Sequence, residues 1–501
     1  MTLSSTFNII DTSFNAIAAQ SATIASNVAN ANTPRYSRQI ANLGTTAYNG
    51  VAVYSVTREA NAAVAAQLNA TTSESAAQSA ISTALTTLAA TVSDSATSTS
   101  SSGSLQNGNS PYAQLANFTA AVTAYEAQPE SGSAAQAAVA AAKSVTNSLN
   151  AGAQAVTQVR TQADQQIAQA VTTVNSLLNQ FTGINNSVVS GIASGANVGS
   201  LQDQRDALVT QIAQQIGVTT NLNANGAMSI FTDSGVPLFE STPSQVTFTP
   251  SGTLGPNQIG AAVVVNGAPI TGASSNMPIQ SGAIAGLAQL RDTIAPQYQA
   301  QLDQVAGSLM SAFQEADQSS TATGLPALPG LFTTAGATSV PSSANWTGLA
   351  NVITVNASVD PTQGGNAQLL RDGGISDTSN LNYTYNTTGA AGYTGRLQQL
   401  VSALQAPMSF SANAGLATTD SISNYANSSV SWLQAANQQA SGSATYQSSL
   451  LSSASAALSN ATGVNLDTEL TNMLTIESSY TASAKLVTTV TNMLNTLVNA
   501  V

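Results

Sequence analysis

The sequence predicts a mainly α-helical, multidomain chain with β insertions. Three observations carry this. Heptad-spaced apolar residues mark a helix at each end, long helical periodicities recur between them, and residues 220–280 switch to short alternating runs broken by turn dipeptides. At 501 residues the chain exceeds what one hydrophobic core holds, so several domains are expected.

The stretch 466–501 organises the rest. From Leu466, steps of three and four collect Leu470, Met473, Glu477, Tyr480, Ala484, Val487, Thr491, Leu494, Val498 and Val501. This is a heptad seam with polar interruptions at Glu477 and Thr491, the mark of a helix that needs a helical partner. From Leu3 the same spacing collects Phe7, Ile10, Phe14, Ile17, Ser21, Ile24, Val28 and Ala31. The two seams are expected to bring the chain ends together, with the remaining residues hung between them. Completing them is expected to require neighbouring copies, both ends folding on assembly.

The first helix should stop at Asn30-Ala31-Asn32-Thr33-Pro34, with Asn in a left-handed cap and Pro34 pushing Thr33 off helical angles. Residues 35–58 read as extended, with Tyr48, Val51, Val53 and Val56 around a hairpin turn at Asn49-Gly50. Helix resumes near Glu59, and a low-complexity polar loop fills 93–110. Leu115, Phe118, Val122 and Tyr125 mark a helix ending near Pro129. From Ser133 to about Phe181 no strong breaker intervenes, which predicts a helix roughly 70 Å long in a rod-like bundle. The Gly/Asn/Ser-rich patch 183–200 should end it, before a short helix over 201–218.

Residues 220–280 carry Asn225-Gly226, Ser234-Gly235, Ser251-Gly252 and Asn266-Gly267 between short β-branched runs, which spells an antiparallel β domain. Helix returns near Ala283, with Pro296 expected to kink or restart it. A second loop-and-strand insertion covers 324–393, and helices resume from Thr394 and through 416–459. The expected domains are therefore 1–58 with 460–501 (terminal coiled coil and hairpin), 59–219 with 282–323 and 394–459 (helical bundle), 220–281 (β) and 324–393 (second insertion).

Composition narrows the function. No cysteine and no histidine are present, which removes Ser-His-Asp and Cys-His catalysis, thiolate chemistry and the commonest metal ligands. No cofactor is expected. A net charge of −12 with few basic residues argues against nucleic acid, and no run of eighteen apolar residues suits a membrane span. The N-terminus lacks the basic start and apolar block of a cleaved signal, so any export is expected to use another route. Arg205-Asp206 and Arg291-Asp292 flank the β segment and are expected to be weak surface ion pairs.

The segment Ala25–Gln39, ASNVANANTPRYSRQ, resembles the stretch shared by flagellar rod, hook and junction proteins, in which a Ser/Asn-rich helix runs into an Asn-Thr-Pro-Gly-Tyr turn. Asn30, Asn32, Thr33, Pro34 and Tyr36 carry it here, with Arg35 in the glycine position. LQDQRDALVTQI (201–212), GAIAGLAQLRDTIAPQYQAQLDQVA (282–306) and LDTELTNMLTIESSYTASAKLVTTVTNML (466–494) are similar to segments of the flagellar hook-associated protein 1 (FlgK) family. That resemblance implies a structural, non-enzymatic junction subunit lying outside the cell between hook and filament. It implies as partners the hook protein, the second hook-associated junction protein, further copies in a helical ring, and an export chaperone on the C-terminal helix. The seams Leu3, Phe7, Ile10, Phe14, Ile17, Ile24, Val28 and Leu466, Leu470, Met473, Tyr480, Val487, Leu494, Val498 become the expected assembly interface. The hook protein, the second junction protein and a surface adhesin using its β insertions stand as alternatives.

Overall fold

The computed structural model describes residues 3–47, 49–93, 108–256, 258–319 and 324–499. Tyr48 of the expected hairpin, residues 94–107 of the low-complexity loop, Val501 and the Leu3 side chain lie outside the described residues. The fold is mainly helical with small antiparallel sheets inserted, as the sequence predicts.

Helix α1 (Leu3–Ala29) leads to the hairpin β1 (Gln39–Thr45) and β2 (Val51–Arg58). The connection is longer than a two-residue Asn-Gly turn, since Thr45 pairs with Val51. The Tyr54 ring covers Gly44, where a Cβ would come within 2.2 Å of it. Side chains cap the helices that follow. Asn61 accepts from Val64 N–H at the start of α2 (Ala62–Ala89), and Ser110 does the same for Ala113 ahead of α3 (Pro111–Ala127). Ser131 caps α4 (Gly132–Ala193).

Helix α4 is the spine. Its 62 residues span about 93 Å, longer than expected, because it runs straight through Gly183 to Ala193. The apolar spacing explains this: Phe181, Asn185 and Val188 stay on the buried face, and that tertiary packing overrides the weak helix propensity of the Gly/Ser patch.

Helix α5 (Gly199–Gln215) precedes one three-stranded sheet, β3 (Val218–Leu222), β4 (Met228–Thr232) and β5 (Pro237–Phe239). A second sheet contains β6 (Val246–Thr247), β7 (Val264–Val265) and β8 (Ala268–Pro269). Asn266 and Gly267, with φ of 47° and 86°, make the turn between β7 and β8 that the dipeptide predicts. Helices α6 (Ala283–Gln289) and α7 (Ala295–Ala312) are joined by a π-helical segment, Leu290–Ile294. This segment accommodates Pro296, whose missing N–H would otherwise break the ladder.

In the second insertion, β9 (Phe332–Thr334) pairs with β10 (Ile353–Val355), beside one-turn helices α8 (Leu349–Val352) and α9 (Leu369–Asp372). After α10 (Gly395–Gln405) comes a small hairpin, β11 (Met408–Ser409) with β12 (Thr419–Asp420). Helix α11 (Ile422–Thr462) therefore starts later than the sequence periodicity suggests, at the Ser421 cap. Helix α12 (Leu466–Val498) follows after a short break, its first N–H groups held by Asn465.

One contiguous core joins helices and strands. Val246, Val263 and Val265 of the β segment belong to the same buried cluster as Ile167, Val174 and Phe181 of α4. Three phenylalanines, Phe118, Phe313 and Phe332, pack ring to ring at 5.1–5.5 Å and tie the second insertion to α3 and α7.

The arginines correct an expectation. Arg160, Arg205 and Arg291 are among the largest fully buried side chains, so the Arg-Asp pairs at 205 and 291 are not surface features. Arg291 donates to Asp164 at 2.5 Å, to both oxygens of Asp292, and to Ala261 O, while Arg160 donates to Arg291 O, Gly255 O and Gln258 O. Arg205 donates to Gly226 O and to Asn185. Each guanidinium thus gathers backbone carbonyls of the β loops onto α4. Periodicity reads them as surface because it sees charge and not the carbonyls folded around it.

Candidate assembly interface

The terminal helices pack antiparallel. Phe14 meets Tyr480 edge-on, with centroids 5.3 Å apart, Ser13 Oγ lies 3.3 Å from Ser483 Oγ, and Asn27 reaches Glu469. Residue numbers rise on α1 as they fall on α12, and the chain ends come together as expected. On α1 the expected seam is turned inward at Ile10, Ile17 and Ile24, with Phe14 half-buried. Phe7 and Val28, in the same seam, are exposed.

On α12 the inward face differs from the heptad chosen from the sequence. Glu469, Ser483 and Val490 are buried and Ile476, Val487 and Leu494 half-buried. Of the expected seam, Val487 and Leu494 lie on this face and Tyr480 flanks it. Leu466, Leu470, Met473 and Val498 are exposed. The physical reason is that α12 carries more apolar positions than one stripe can hold. The partner helix selected the line with small and polar members, Ser483 and Glu469, which a hydrophobic pattern passes over. The consequence is a helix with nine large apolar side chains in solvent, Leu474, Leu486, Met493 and Leu497 joining the five residues Leu466, Leu470, Met473, Tyr480 and Val498.

The hydroxyls on α12 fit the same picture. Thr471, Thr475, Ser479, Thr488, Thr489, Thr491 and Thr496 each donate to the carbonyl four residues earlier. Their donors are satisfied inside the helix, so covering this surface with another apolar surface strands none of them.

The family-like turn closes onto a buried polar knot. Asn27, fully buried, accepts from Gln39 N–H at 2.9 Å and Tyr36 OH at 3.0 Å, and donates to Gln39 O and to Glu469 Oε2. All four of its hydrogen-bonding positions are used. Glu469 also accepts from Arg38 Nε at 2.6 Å, and Arg38 N–H donates to Thr462 O. Burial pushes the Tyr36 hydroxyl above its ordinary pKa, so it stays a donor.

Asn30 folds its amide back to Ser26 O and accepts from the Thr33 hydroxyl, while Asn32, Thr33 and Pro34 form an exposed tip. Asn30 is not the left-handed residue expected of it. Arg35 is, with φ 66°, so the conformation that glycine supplies in the family turn is adopted here by arginine. Neither Asn27 nor Glu469 stands out in a hydrophobic pattern. The one signal for them is a polar residue at helical spacing from apolar ones, inside the family-like segments.

The knot is bolted to the bundle through α5. Arg58 donates to Asp203 at 2.7 Å and Asp206 at 2.5 Å, Asp203 also accepts from Ser37 N–H, and Asn197 donates to the Gln39 side chain. Burial would lower the Arg58 pKa, but Asp206 and Asp203 outweigh it and raise it. No group of three potential metal-binding side chains occurs among the described residues.

Two family models match the chain. Residues 103–325 match the flagellar hook-associated protein FlgK helical domain, and residues 456–500 match the flagellar basal body rod FlgEFG protein C-terminal region. Together the two matches support a FlgK-type chain. The second match covers α12, the helix with the exposed apolar surface. The FlgK helical-domain match takes in α3 to α7, including the buried Arg160, Arg205 and Arg291. A solved structure, the flagellar hook junction protein FlgK from Burkholderia pseudomallei, aligns at 23% identity and a TM-score of 0.41 over 54% of this chain. The match spans 46% of that FlgK chain, less than half its length. A search of curated proteins finds no match.

Proposed function

We propose that this chain is a structural, non-catalytic junction subunit of the bacterial flagellum, assembled between hook and filament. The observation that carries it is α12: a helix of the flagellar rod C-terminal type, paired with α1 along one side and leaving nine large apolar side chains exposed. A helix apolar on most of its circumference is a helix to be surrounded. Neighbouring copies surround it, forming a ring whose inner wall is the α1–α12 pair. The hook protein is the partner on one side and the second junction protein on the other. During export, a chaperone covers its α12 face. In this reading the terminal pair with its hairpin, the helical bundle, the β segment 220–281 and the insertion 324–393 act as separate modules of one subunit.

The test contrasts two neighbours on α12. Leu474→Asp alters an outward residue, so purified protein keeps its melting temperature while cells expressing it lose attached filaments. Ile476→Asp alters the inward face and loosens the α1–α12 pair in the purified protein. Normal filaments on Leu474→Asp cells, with the variant incorporated, would remove the basis of the reading.

A further inference from the structure

The basic residues of this chain are unevenly spent. Arg160, Arg205, Arg291, Arg371 and Arg396 are buried, Arg38 and Arg58 are paired with carboxylates, and Lys143 bonds Asp360 at 2.8 Å. Exposed Arg35 leans on Ala207 O. Lys485, on α12, is exposed and has no ion pair among the described residues.

Its surroundings are not a solvated charged face. Leu470, Leu474, Glu477, Thr481 and Lys485 follow one another at steps of four, three, four and four along the stripe of α12 turned away from α1. The terminal helices otherwise carry three exposed charges, Asp11, Asp467 and Glu477, all acidic. Glu477 lies two turns from Lys485, about 12 Å along the axis, which is beyond an ion pair within one helix. Asp467 is about 27 Å away on the same helix. Asp11 sits level with Lys485 on the antiparallel partner, yet the two do not meet. A single cation and three carboxylates, with no ion pair among the described residues, on an apolar surface make the pattern by which coiled-coil flanks fix pairing register.

We infer that Lys485 pairs with a terminal-helix carboxylate of a second copy of this chain, and so sets the axial stagger between neighbouring copies. The inference rests on the reading of α12 as a copy-to-copy surface. Which acid it takes fixes the stagger: near zero for Asp11, about 12 Å for Glu477, about 27 Å for Asp467.

Charge exchange in the full-length protein tests it. Lys485→Glu, exported in normal amount, lowers the fraction of filament-bearing cells at least tenfold. Adding Asp11→Lys, Glu477→Lys or Asp467→Lys in turn restores attachment for one acid and not the others. As a check independent of charge, Lys485 and each acid are replaced together by cysteine in this cysteine-free chain. Oxidation of isolated flagella then yields disulfide-linked dimers for the same pair. Unchanged attachment with Lys485→Glu, or no rescue and no dimer from any of the three acids, overturns the inference. If Lys485→Glu is harmless while Leu474→Asp blocks attachment, the stagger claim fails alone. If both are harmless, the assembly reading fails with it.

Discussion

Arg38 Nε donates to Glu469 Oε1 at 2.6 Å, joining residues 431 positions apart at the point where the hairpin, α1 and α12 converge. Glu469 is 1% exposed, and its two oxygens accept from this partner and from Asn27. Removing one member of such a pair costs more than removing both, because a buried charge is left alone. Arg38→Met is expected to destabilise the terminal module by about 3 kcal/mol, and the double variant Arg38→Met/Glu469→Leu to regain most of that. Amide exchange reads this directly: faster exchange in α1 and α12 of the single variant, with α4 unchanged.

Arg35 gives the opposite sign. A non-glycine residue in the left-handed region costs about 1 kcal/mol, and the contact from Arg35 to Ala207 O, at 3.5 Å, offsets little of it. Arg35→Gly should therefore stabilise the folded chain by about 0.5–1 kcal/mol. A higher urea midpoint at unchanged slope is the expected record; a lower one would show that the guanidinium matters more than the backbone.

Two nearby glycines should behave differently. A Cβ on Gly260 would lie 2.1 Å from Arg291 Cζ, inside the buried Arg160–Asp164–Arg291 cluster, whereas on Gly255 the nearest atom is 3.8 Å away. Gly260→Ala is expected to cost about 3 kcal/mol through displacement of the guanidinium, and Gly255→Ala to stay within about 0.5 kcal/mol. Thermal unfolding of the two variants side by side checks the contrast.

Asp303 on α7 accepts from Gly348 N–H at 2.7 Å, Ala350 N–H at 2.9 Å and Gln299 at 2.9 Å, capping the one-turn helix α8. Burial nevertheless pushes its carboxyl up to about 6, with those three donors only partly opposing it. The folded state then holds the proton more tightly than the unfolded chain. This site's contribution to stability therefore rises as pH falls from about 6 towards about 4, and is level above and below. Urea midpoints at pH 7 and pH 5 should shift upward less in Asp303→Asn than in the parent protein. An equal shift in both would rule out Asp303 as the source.

Much of the fold was legible because its signals are local. Leu115, Phe118, Val122 and Tyr125, spaced along one helical face, do form the buried face of α3. Asn266-Gly267 sits between two short runs and does turn them. The FlgK resemblance was legible too, in the quoted segments. The end of α4 was not, because Gly183 is a weak breaker whose effect depends on what packs against Val188.

By itself, the sequence determined where helices and turns form, that both ends are amphipathic helices, and that histidine and cysteine chemistry is absent. Those are consequences of composition and of interactions between residues a few positions apart. Tertiary structure alone decided which stripe of α12 faces α1, leaving Leu470 and Leu474 in solvent, and that Arg160, Arg205 and Arg291 lie inside. The reason is the same in both cases. A helix with several apolar stripes, or a guanidinium that can be satisfied by carbonyls, has its orientation set by a surface hundreds of residues away in the chain.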